Sequence, residues 1–185
     1  MARLIYSAAA SLDGYIAGPG GDMSWLAAFA GEPNPAADRL LADVGALLVG
    51  RRTHDGDDPN RGTDAEGAFG GQYDGPAVVL THRPPPTTPP GVTFATDLAT
   101  AVALARDAAG ERSVTILGAD VAAQCLDAGV LDEVFVLVVP VLLGDGTPLF
   151  PRRPGTPPVH LESIAGDTPH WYRVVRGNTP TTPVA

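Results

Sequence analysis

The sequence predicts an α/β protein with a mostly parallel central sheet, antiparallel C-terminal strands, and helices on both faces of the sheet. Short apolar runs alternate with amphipathic stretches along most of the chain, as strands and their crossover helices do. Several of these runs end in a glycine or a polar turn, which is typical of strands that lead into a helix. The last two extended runs look like a pair of closing antiparallel strands.

The clearest unit in the sequence begins with the apolar run Ser113–Leu117 and a glycine-containing turn. Val121–Ala128 then has the pattern of a short amphipathic helix, with Gly129 at its C′ position. The stretch Leu131–Phe150 continues as a buried strand, with Pro140 at a bulge or an unpaired edge. Such a βαβ unit places a helix N-terminus at the carboxyl edge of the sheet. The turn either binds an anion or only permits close helix–sheet packing, and both interpretations stay open.

The N-terminal half supplies further strands and a helix. Small residues end the first strand, and a flat ligand can approach the backbone where side chains are small. The predicted ranges are Arg3–Ala10 and Ala46–Val49 for strands, Tyr15–Ala17 for an extended segment, and Pro35–Val44 for a helix capped by Asn34. Asp55–Gly75 has no apolar period, and we expect a long functional or mobile loop there.

The C-terminal half continues the alternation. The predicted strands are Pro76–Leu80, Val92–Ala95, Val159–Ile164 and Trp171–Val175, and the predicted helix is Leu98–Ala109, capped by Asp97. A stiff extended segment, Pro84–Pro90, connects two of the strands and is too short to be a domain boundary. We therefore predict a single domain over residues 1–177 and a flexible tail over residues 178–185.

Composition excludes several classes of function. The chain has 185 residues and a formal net charge of −9, which argues against sequence-independent nucleic-acid binding. Its single cysteine, Cys125, rules out an intramolecular disulfide, and we expect an inert buried thiol. The acidic residues of the long loop do not match the calcium-loop spacing, so no metal is predicted. No apolar run reaches membrane-spanning length or forms a signal-peptide core, which predicts a cytoplasmic protein without a membrane partner.

Three predicted strands end in groups that suit phosphate or ribose, namely Gly50–Thr53, Thr81–Arg83 and Gly118–Asp120. Ligands of open α/β sheets bind at this edge. Arg51 and Arg52 would suit a diphosphate, and the alternative is that they are solvated surface charges. Three such strand ends together favour a dinucleotide, and Thr81 with Arg83 would hold a 2′-phosphate. The chain has no GxGxxG motif, which disfavours a Rossmann dehydrogenase.

Four groups of short motifs occur between residues 3 and 175. They are Ser11–Ala17 (SLDGYIA), Gly50–Thr53 (GRRT), Val79–Pro84 (VLTHRP), and Leu131–Glu133 (LDE) with Pro140–Gly146 (PVLLGDG). In this order they resemble the dihydrofolate-reductase superfamily, and most of all its branch similar to the reductase domain of bacterial riboflavin biosynthesis. The resemblance implies a three-layer fold, NADPH-dependent hydride transfer to a small pterin-, pyrimidine- or flavin-like substrate, and a homodimer.

The resemblance also implies where NADPH would bind. Two residues of the first strand and Ile16 would flank the nicotinamide, and the three strand ends would hold the phosphates and the adenosine ribose. The implied residues are Ala9, Ala10 and Ile16 beside the nicotinamide, Gly50, Arg51, Arg52 and Thr53 at the phosphates, Thr81, His82 and Arg83 at the ribose phosphate, and Leu117, Gly118, Ala119, Asp120 and Val121 over the diphosphate.

Three residues are candidates for catalysis. Asp13 and Trp25 match positions near the substrate in the riboflavin-type reductases, and the alternatives are a turn-forming aspartate and a core tryptophan. Asp13 or Asp58 would donate or relay the proton that accompanies hydride transfer. That role requires a pKa raised by partial burial.

The chain departs from the family where the substrate would be recognised. Leu117 and Ala119 replace a glutamate and the second of two glycines, and Asp57–Pro59 lacks the leucine that follows the family's Asp-Asp-Pro motif. Asp38 lies where folate reductases carry an acid, but without the usual surrounding pattern. Two alternatives to a riboflavin-type reductase therefore stay open: a non-catalytic NADP(H)-binding module and a folate reductase proper.

The homodimer implied by the resemblance has two candidate contacts in the sequence. The apolar strand Phe135–Val141 or the Leu149–Phe150 corner would supply a buried patch for a two-fold interface. The alternative is that both segments belong to the core of the monomer.

Overall fold

A computed structural model of the protein describes residues 1–29, 34–56, 58, 60–164 and 170–176. The strands in these residues are β1 Leu4–Ser11, β2 Tyr15–Ala17, β3 Val44–Gly50, β4 Ala77–Leu80, β5 Val92–Ala95, β6 Ser113–Leu117, β7 Glu133–Val139, β8 Thr147–Pro148, β9 Leu161–Ser163 and β10 Trp171–Val174. The helices are α1 Pro35–Asp43, α2 Arg51–His54, α3 Leu98–Ala109 and α4 Ala119–Asp127, with 3-10 helices at Pro19–Gly21 and Ser24–Phe29.

The main sheet of the described chain has the strand order β5-β4-β3-β6-β1-β7-β10-β9. Neighbouring strands from β5 to β7 are parallel, whereas β10 runs antiparallel to both β7 and β9. At the centre of the sheet, Ile5 of β1 lies between Thr115 of β6 and Glu133 of β7. A separate ribbon pairs β2 with β8. The predicted mostly parallel sheet with antiparallel C-terminal strands is therefore confirmed.

Helices cover both faces of the sheet. On one face, Ala105 of α3 and Cys125 of α4 pack into the larger core. On the other face, Leu40 of α1 packs with Ile5 and Leu47 in a second core. Successive side chains of a strand point to opposite faces, so each central strand supplies both cores. The fold therefore has three layers, and the carboxyl ends of its parallel strands meet at one edge.

The ends of the helices follow from local sequence. The side-chain oxygen of Asn34 accepts hydrogen bonds from two backbone N–H groups in the first turn of α1. Asp97 Oδ1 accepts from the N–H of Thr100 at 2.9 Å and caps α3 in the same way. These bonds satisfy N–H groups that have no partner within the helix. After α4, Gly129 adopts a φ of +68°, a left-handed conformation that glycine tolerates best.

Three predicted boundaries are wrong. α4 begins at Ala119, before the predicted Val121, because Gly118 serves as its N-cap with a φ of +105°. The strand predicted within Leu131–Phe150 ends with β7, directly before Pro140, which has no N–H to donate to a ladder. The predicted closing strand Val159–Ile164 is limited to the three residues of β9.

The segment Asp55–Gly75 is a loop, as predicted, in the part that the structure describes. It also covers the sheet, because Phe69 and Tyr73 pack against the second core. The Tyr73 hydroxyl donates to the Pro76 carbonyl at 3.0 Å, which fixes the end of the loop beside β4. Asp57 and Pro59 lie outside the described residues.

One aromatic ring from each of the two segments named for a dimer contact packs in the core. Phe135 is buried and makes an edge-to-face contact with Trp171, with ring centroids 5.3 Å apart. Phe150 makes the same kind of contact with Tyr6 at 5.2 Å. The core interpretation therefore holds for both rings, and a homodimer stays a prediction.

No helix in the described residues is long and apolar enough to cross a membrane. The predicted domain boundary after residue 177 and the tail 178–185 lie outside the described residues, so both stay predictions. Cys125 is fully buried, and burial raises the pKa of its thiol to about 12, as befits a structural cysteine.

Candidate active site

The starts of α2 and α4 meet at the carboxyl ends of the neighbouring strands β3 and β6. A Cβ atom at Gly118 would lie 2.5 Å from Oγ1 of Thr53, and one at Gly50 would lie 3.1 Å from Cγ2 of Val121. Glycine at both positions therefore allows the two helix starts to approach each other. Close packing is thus one role of Gly118, and the N–H groups at the start of α4 remain directed at the same edge.

The two arginines of α2 are paired with carboxylates of this chain. Arg52 forms an ion pair with Asp120 in the first turn of α4, and Arg51 forms one with Asp55 at the end of α2. Arg51 Nη1 also donates to the Arg83 carbonyl at 3.3 Å, which joins the ends of β3 and β4. Each arginine would therefore have to exchange a carboxylate for phosphate, and binding of a diphosphate by Arg51 and Arg52 stays a prediction.

The carboxylate of Asp55 belongs to a small cluster at this edge. Its Oδ1 lies 2.8 Å from Nδ1 of His54, and its Oδ2 accepts from Arg51. Hydrogen bonds from His54 and then from Arg51 hold the pKa of Asp55 below its usual range. The negative charge at the end of α2 is therefore present throughout the neutral range.

The end of β4 forms a turn with an exposed cation. Thr81 is buried, and its Oγ1 accepts a hydrogen bond from the N–H of Arg83 at 3.2 Å. The side chains of His82 and Arg83 are exposed at the same edge of the sheet. The structure therefore places Thr81–Arg83 beside α2, as the sequence predicted for adjacent strand ends.

Two of the residues implied beside a nicotinamide, Ala9 and Ala10, lie on opposite faces of β1, and the third, Ile16, lies on β2. Ala10 is buried in the larger core, and Ile16 packs against that core. Ala9, one position earlier, points to the opposite face and is half-buried beside Leu137 of β7. On the α1 side, the small side chain of Ala9 therefore lies next to Leu137, which is 42% exposed.

Asp13 ties two loops together. Its carboxylate accepts from the Ser11 hydroxyl at 2.6 Å and from the backbone N–H groups of Leu143 and Gly144, the latter at 2.7 Å. The Ser11 bond, followed by the Gly144 and Leu143 bonds, lowers the pKa of Asp13. A general acid requires a raised pKa, and Asp13 does not have one, because each of these hydrogen bonds favours the ionised carboxylate.

The lowered pKa of Asp13 predicts a pH dependence of stability. A carboxyl group whose pKa is lower in the folded than in the unfolded state stabilises the fold above its unfolded pKa, here 3.8. That contribution disappears as the pH falls through the folded-state pKa. Asp13→Asn should therefore lower the melting temperature near neutral pH, and the difference from wild type should shrink below about pH 4.

Thermal melts of wild type and Asp13→Asn across the acid range provide the test. Ser11→Ala removes the hydroxyl that donates to Asp13 and should reproduce part of the same pH-dependent loss. A difference between wild type and Asp13→Asn that stays constant from neutral to acid pH would contradict the assignment.

The other two catalytic candidates lie in separate segments. The Asp58 carboxylate accepts from the N–H groups of Asn60 and Gly67, at 2.8 and 2.6 Å, and organises its own loop. Trp25 lies in the 3-10 helix after β2, and its indole Nε1 is buried without a hydrogen-bond partner in the described chain. Among the described residues, no hydrogen bond or ion pair joins Asp58 to Asp13 or to Trp25.

Sequence reasoning missed several residues that shape this site. Ser11 is buried, and besides donating to Asp13 it accepts from the N–H of Tyr15 at 3.0 Å. A serine two residues before an aspartate in a glycine turn is a signal for such side-chain bonds, and it could have been used. The pairing of Asp55 with Arg51 also follows a recognisable i, i+4 spacing.

The strand order and the joined strand ends define a dihydrofolate-reductase-like α/β fold with a ligand edge at the carboxyl ends of its parallel strands. The profile of the RibD C-terminal domain family matches residues 2–170. The chain belongs to this family.

Individual relatives agree with this assignment. The uncharacterized protein YwjB of Bacillus subtilis (strain 168) is 30% identical over 143 residues, which cover 77% of this chain and 79% of the relative. A crystal structure of a protein assigned to riboflavin biosynthesis from Shewanella sp. PV-4 is similar with a TM-score of 0.65, 25% identity, and coverage of 94% and 97% of the two chains. The riboflavin biosynthesis reductase Rib7 of Saccharomyces cerevisiae shares the fold at a TM-score of 0.57 and 17% identity, over 94% of this chain and 90% of its own.

Proposed function

We propose that this protein is an NADPH-dependent reductase that acts on a C=N or C=O bond of a small heterocyclic substrate, of the pterin, pyrimidine or flavin type. One observation carries the proposal. In a chain of the RibD C-terminal domain family, Gly50–Thr53, Thr81–Arg83 and Gly118–Asp120 lie together at one edge of the sheet. Phosphate, ribose and ring recognition by a dinucleotide site need several strand ends at once.

The residues at this edge fit a dinucleotide. Gly118 brings no side chain to the start of α4, and Oγ1 of Thr53 lies beside it, so the first backbone N–H groups of α4 and this hydroxyl would bind a diphosphate together. Thr53 would add a hydroxyl, and Arg83 with Thr81 would hold the 2′-phosphate. Bound NADPH would supply the hydride.

The substrate would lie on the α1 side of β1 in this proposal. Ala9 and Leu137 offer a small and an apolar surface there, and Asp13 fixes the loop at Gly144 that borders the same edge. Trp25, whose indole N–H has no hydrogen-bond partner among the described residues, would donate to a polar ring atom of the substrate. Asp58 would relay the proton in this proposal.

Substrate-dependent oxidation of NADPH tests the proposal. The purified chain should consume NADPH with at least one member of a panel of pterins, aminopyrimidines, flavins and small ketones. Asp58→Asn should slow that turnover without weakening NADPH binding. Turnover that is unchanged in Asp58→Asn would refute the role of Asp58, and NADPH oxidation would still support the reductase.

One observation favours a second candidate, a dinucleotide-binding module without turnover. The best-matched catalytic aspartate, Asp13, has a lowered pKa and is held by hydrogen bonds that connect two loops. Leu117 also stands where the riboflavin-type reductases carry a glutamate. Tight NADPH binding with no oxidation across the whole panel would support the module and contradict the reductase.

The same proposal includes a homodimer in the cytoplasm. Leu137 and Leu161 are exposed large apolar side chains, at 42% and 43%, and could contribute to a contact between copies. A single buried cysteine needs no oxidising compartment. Light scattering of the purified chain should give the mass of two copies, and the mass of one copy would refute the dimer.

A further inference from the structure

The ion pair between Arg52 and Asp120 connects α2 to α4 at the candidate dinucleotide site. Arg52 belongs to α2 and Asp120 to the first turn of α4, so the pair spans two elements 68 residues apart in sequence. The helix starts below it are in contact, because Gly118 admits Thr53. The pair therefore lies at the first turn of α4, where the helix leaves backbone N–H groups without an intrahelical partner.

The two partners differ in what they offer a phosphate. The Arg52 side chain is 84% exposed, and its guanidinium can form bidentate hydrogen bonds to phosphate oxygens. Asp120 is 53% exposed and brings a negative charge to the same spot. The charge of Asp120 also affects a buried side chain. The pKa of the Tyr6 hydroxyl is raised mainly by burial and, to a smaller extent, by the Asp120 carboxylate. A phosphate bound here would be attracted by Arg52 and repelled by Asp120.

We propose that Asp120 is an affinity-determining residue that competes with the ligand's diphosphate for Arg52. The inference rests on the proposed dinucleotide site. Exposed ion pairs are weak, so a diphosphate can displace Asp120 from Arg52. The displaced carboxylate stays at the first turn of α4 and repels the incoming phosphates. The site therefore binds its dinucleotide less tightly than its arginine and helix start alone would allow.

The charge balance also sets the response to salt. With Asp120 present, screening weakens the attraction to Arg52 and the repulsion from Asp120 together, so the affinity changes little with salt. Without the carboxylate only the attraction remains. The dissociation constant should then rise more steeply as salt is added.

Titration of the full chain with NADPH, and separately with inorganic pyrophosphate, tests the proposal at low and moderate salt. Asp120→Asn should tighten binding of both probes by about three- to tenfold at low salt, and the gain should shrink as salt is added. Asp127→Asn is the matched control, because it removes an exposed carboxylate at the other end of the same helix. It should leave both affinities unchanged.

The arginine supplies the second arm of the experiment. Arg52→Gln should weaken NADPH binding. Asp120→Asn should change the NADPH affinity less in the Arg52→Gln background than in wild type, because Asp120 then has no arginine to compete for. If wild type binds NADPH but Asp120→Asn binds it no more tightly than Asp127→Asn does, the competition is refuted and the proposed function stands. If no variant binds NADPH or pyrophosphate, the proposed function and this inference are both overturned.

Discussion

Replacing Gly118 with alanine is expected to lower the free energy of unfolding by about 2–4 kcal/mol and to weaken NADPH binding at least about tenfold. Two effects add at this position. The φ of +105° is strained for any residue with a Cβ, and the new methyl group would lie 2.5 Å from Oγ1 of Thr53. Relief of that clash requires the Thr53 side chain to rotate or α2 to move away from α4, and either change displaces groups proposed to hold the diphosphate. Urea denaturation and NADPH titration measure the two losses.

Gly129→Ala is the matched control for the strain alone. Gly129 also has a positive φ, +68°, but a Cβ there would meet nothing within 4 Å. Gly129→Ala should lower the free energy of unfolding by about 1 kcal/mol and leave the NADPH affinity unchanged. If Gly118→Ala proved as mild as Gly129→Ala in both measurements, the close contact between α2 and α4 would be disproved.

Replacing Glu133 with alanine is expected to lower the free energy of unfolding by about 2–3 kcal/mol. The Glu133 side chain is only 4% exposed, and its two oxygens accept from Arg3 Nη1 at 2.8 Å and from Trp171 Nε1 at 2.9 Å. Its removal leaves the indole N–H without its acceptor between β7 and β10. Arg3 is 53% exposed and can turn to water, which keeps the loss below that of a fully buried pair.

Two further variants separate the contributions to this cluster. Asp43→Asn removes the other carboxylate that Arg3 contacts, and since both of those side chains are exposed it should cost less than about 1 kcal/mol. Trp171→Phe in the Glu133→Ala background should cost less than it does in wild type, because the indole N–H has already lost its acceptor. Equal losses from Glu133→Ala and Asp43→Asn in urea denaturation would show that the burial of Glu133 contributes nothing.

The sequence is sufficient to predict the layers of this fold, because its periodicity is local. The apolar runs that become β3, β4 and β6 are short, continuous and bounded by turn residues, and each is found within a few residues of its predicted position. The caps at Asn34 and Asp97 are equally local, since each side chain bonds to N–H groups two or three residues away. Tyr15–Ala17 was predicted to be extended, but its pairing with β8 was missed, because the two residues Thr147–Pro148 have no strand pattern.

The grouping of the candidate site residues at one edge could also be predicted from the sequence. Parallel strands share a carboxyl edge, so their terminal groups can be placed together from the order of elements alone. Which charge pairs with which is a tertiary property. The partner of Arg52 is 68 residues away, and the backbone groups that bind Asp13 are 130 and 131 residues away. Asp13 therefore resembled a catalytic acid in the sequence, while its contacts lower its pKa.

The central claim is that three strand ends form one NADPH site, and a thermal-shift series tests it most directly. Melting temperatures would be compared without ligand and with NADPH, NADP or NADH. A ligand at about 100 times its dissociation constant adds roughly 2.7 kcal/mol of stability, which a melt detects. Stabilisation by NADPH and NADP but not by NADH is the expected result, because Thr81 and Arg83 are proposed to hold the 2′-phosphate. No shift with any of the three would contradict the dinucleotide site and leave only the fold.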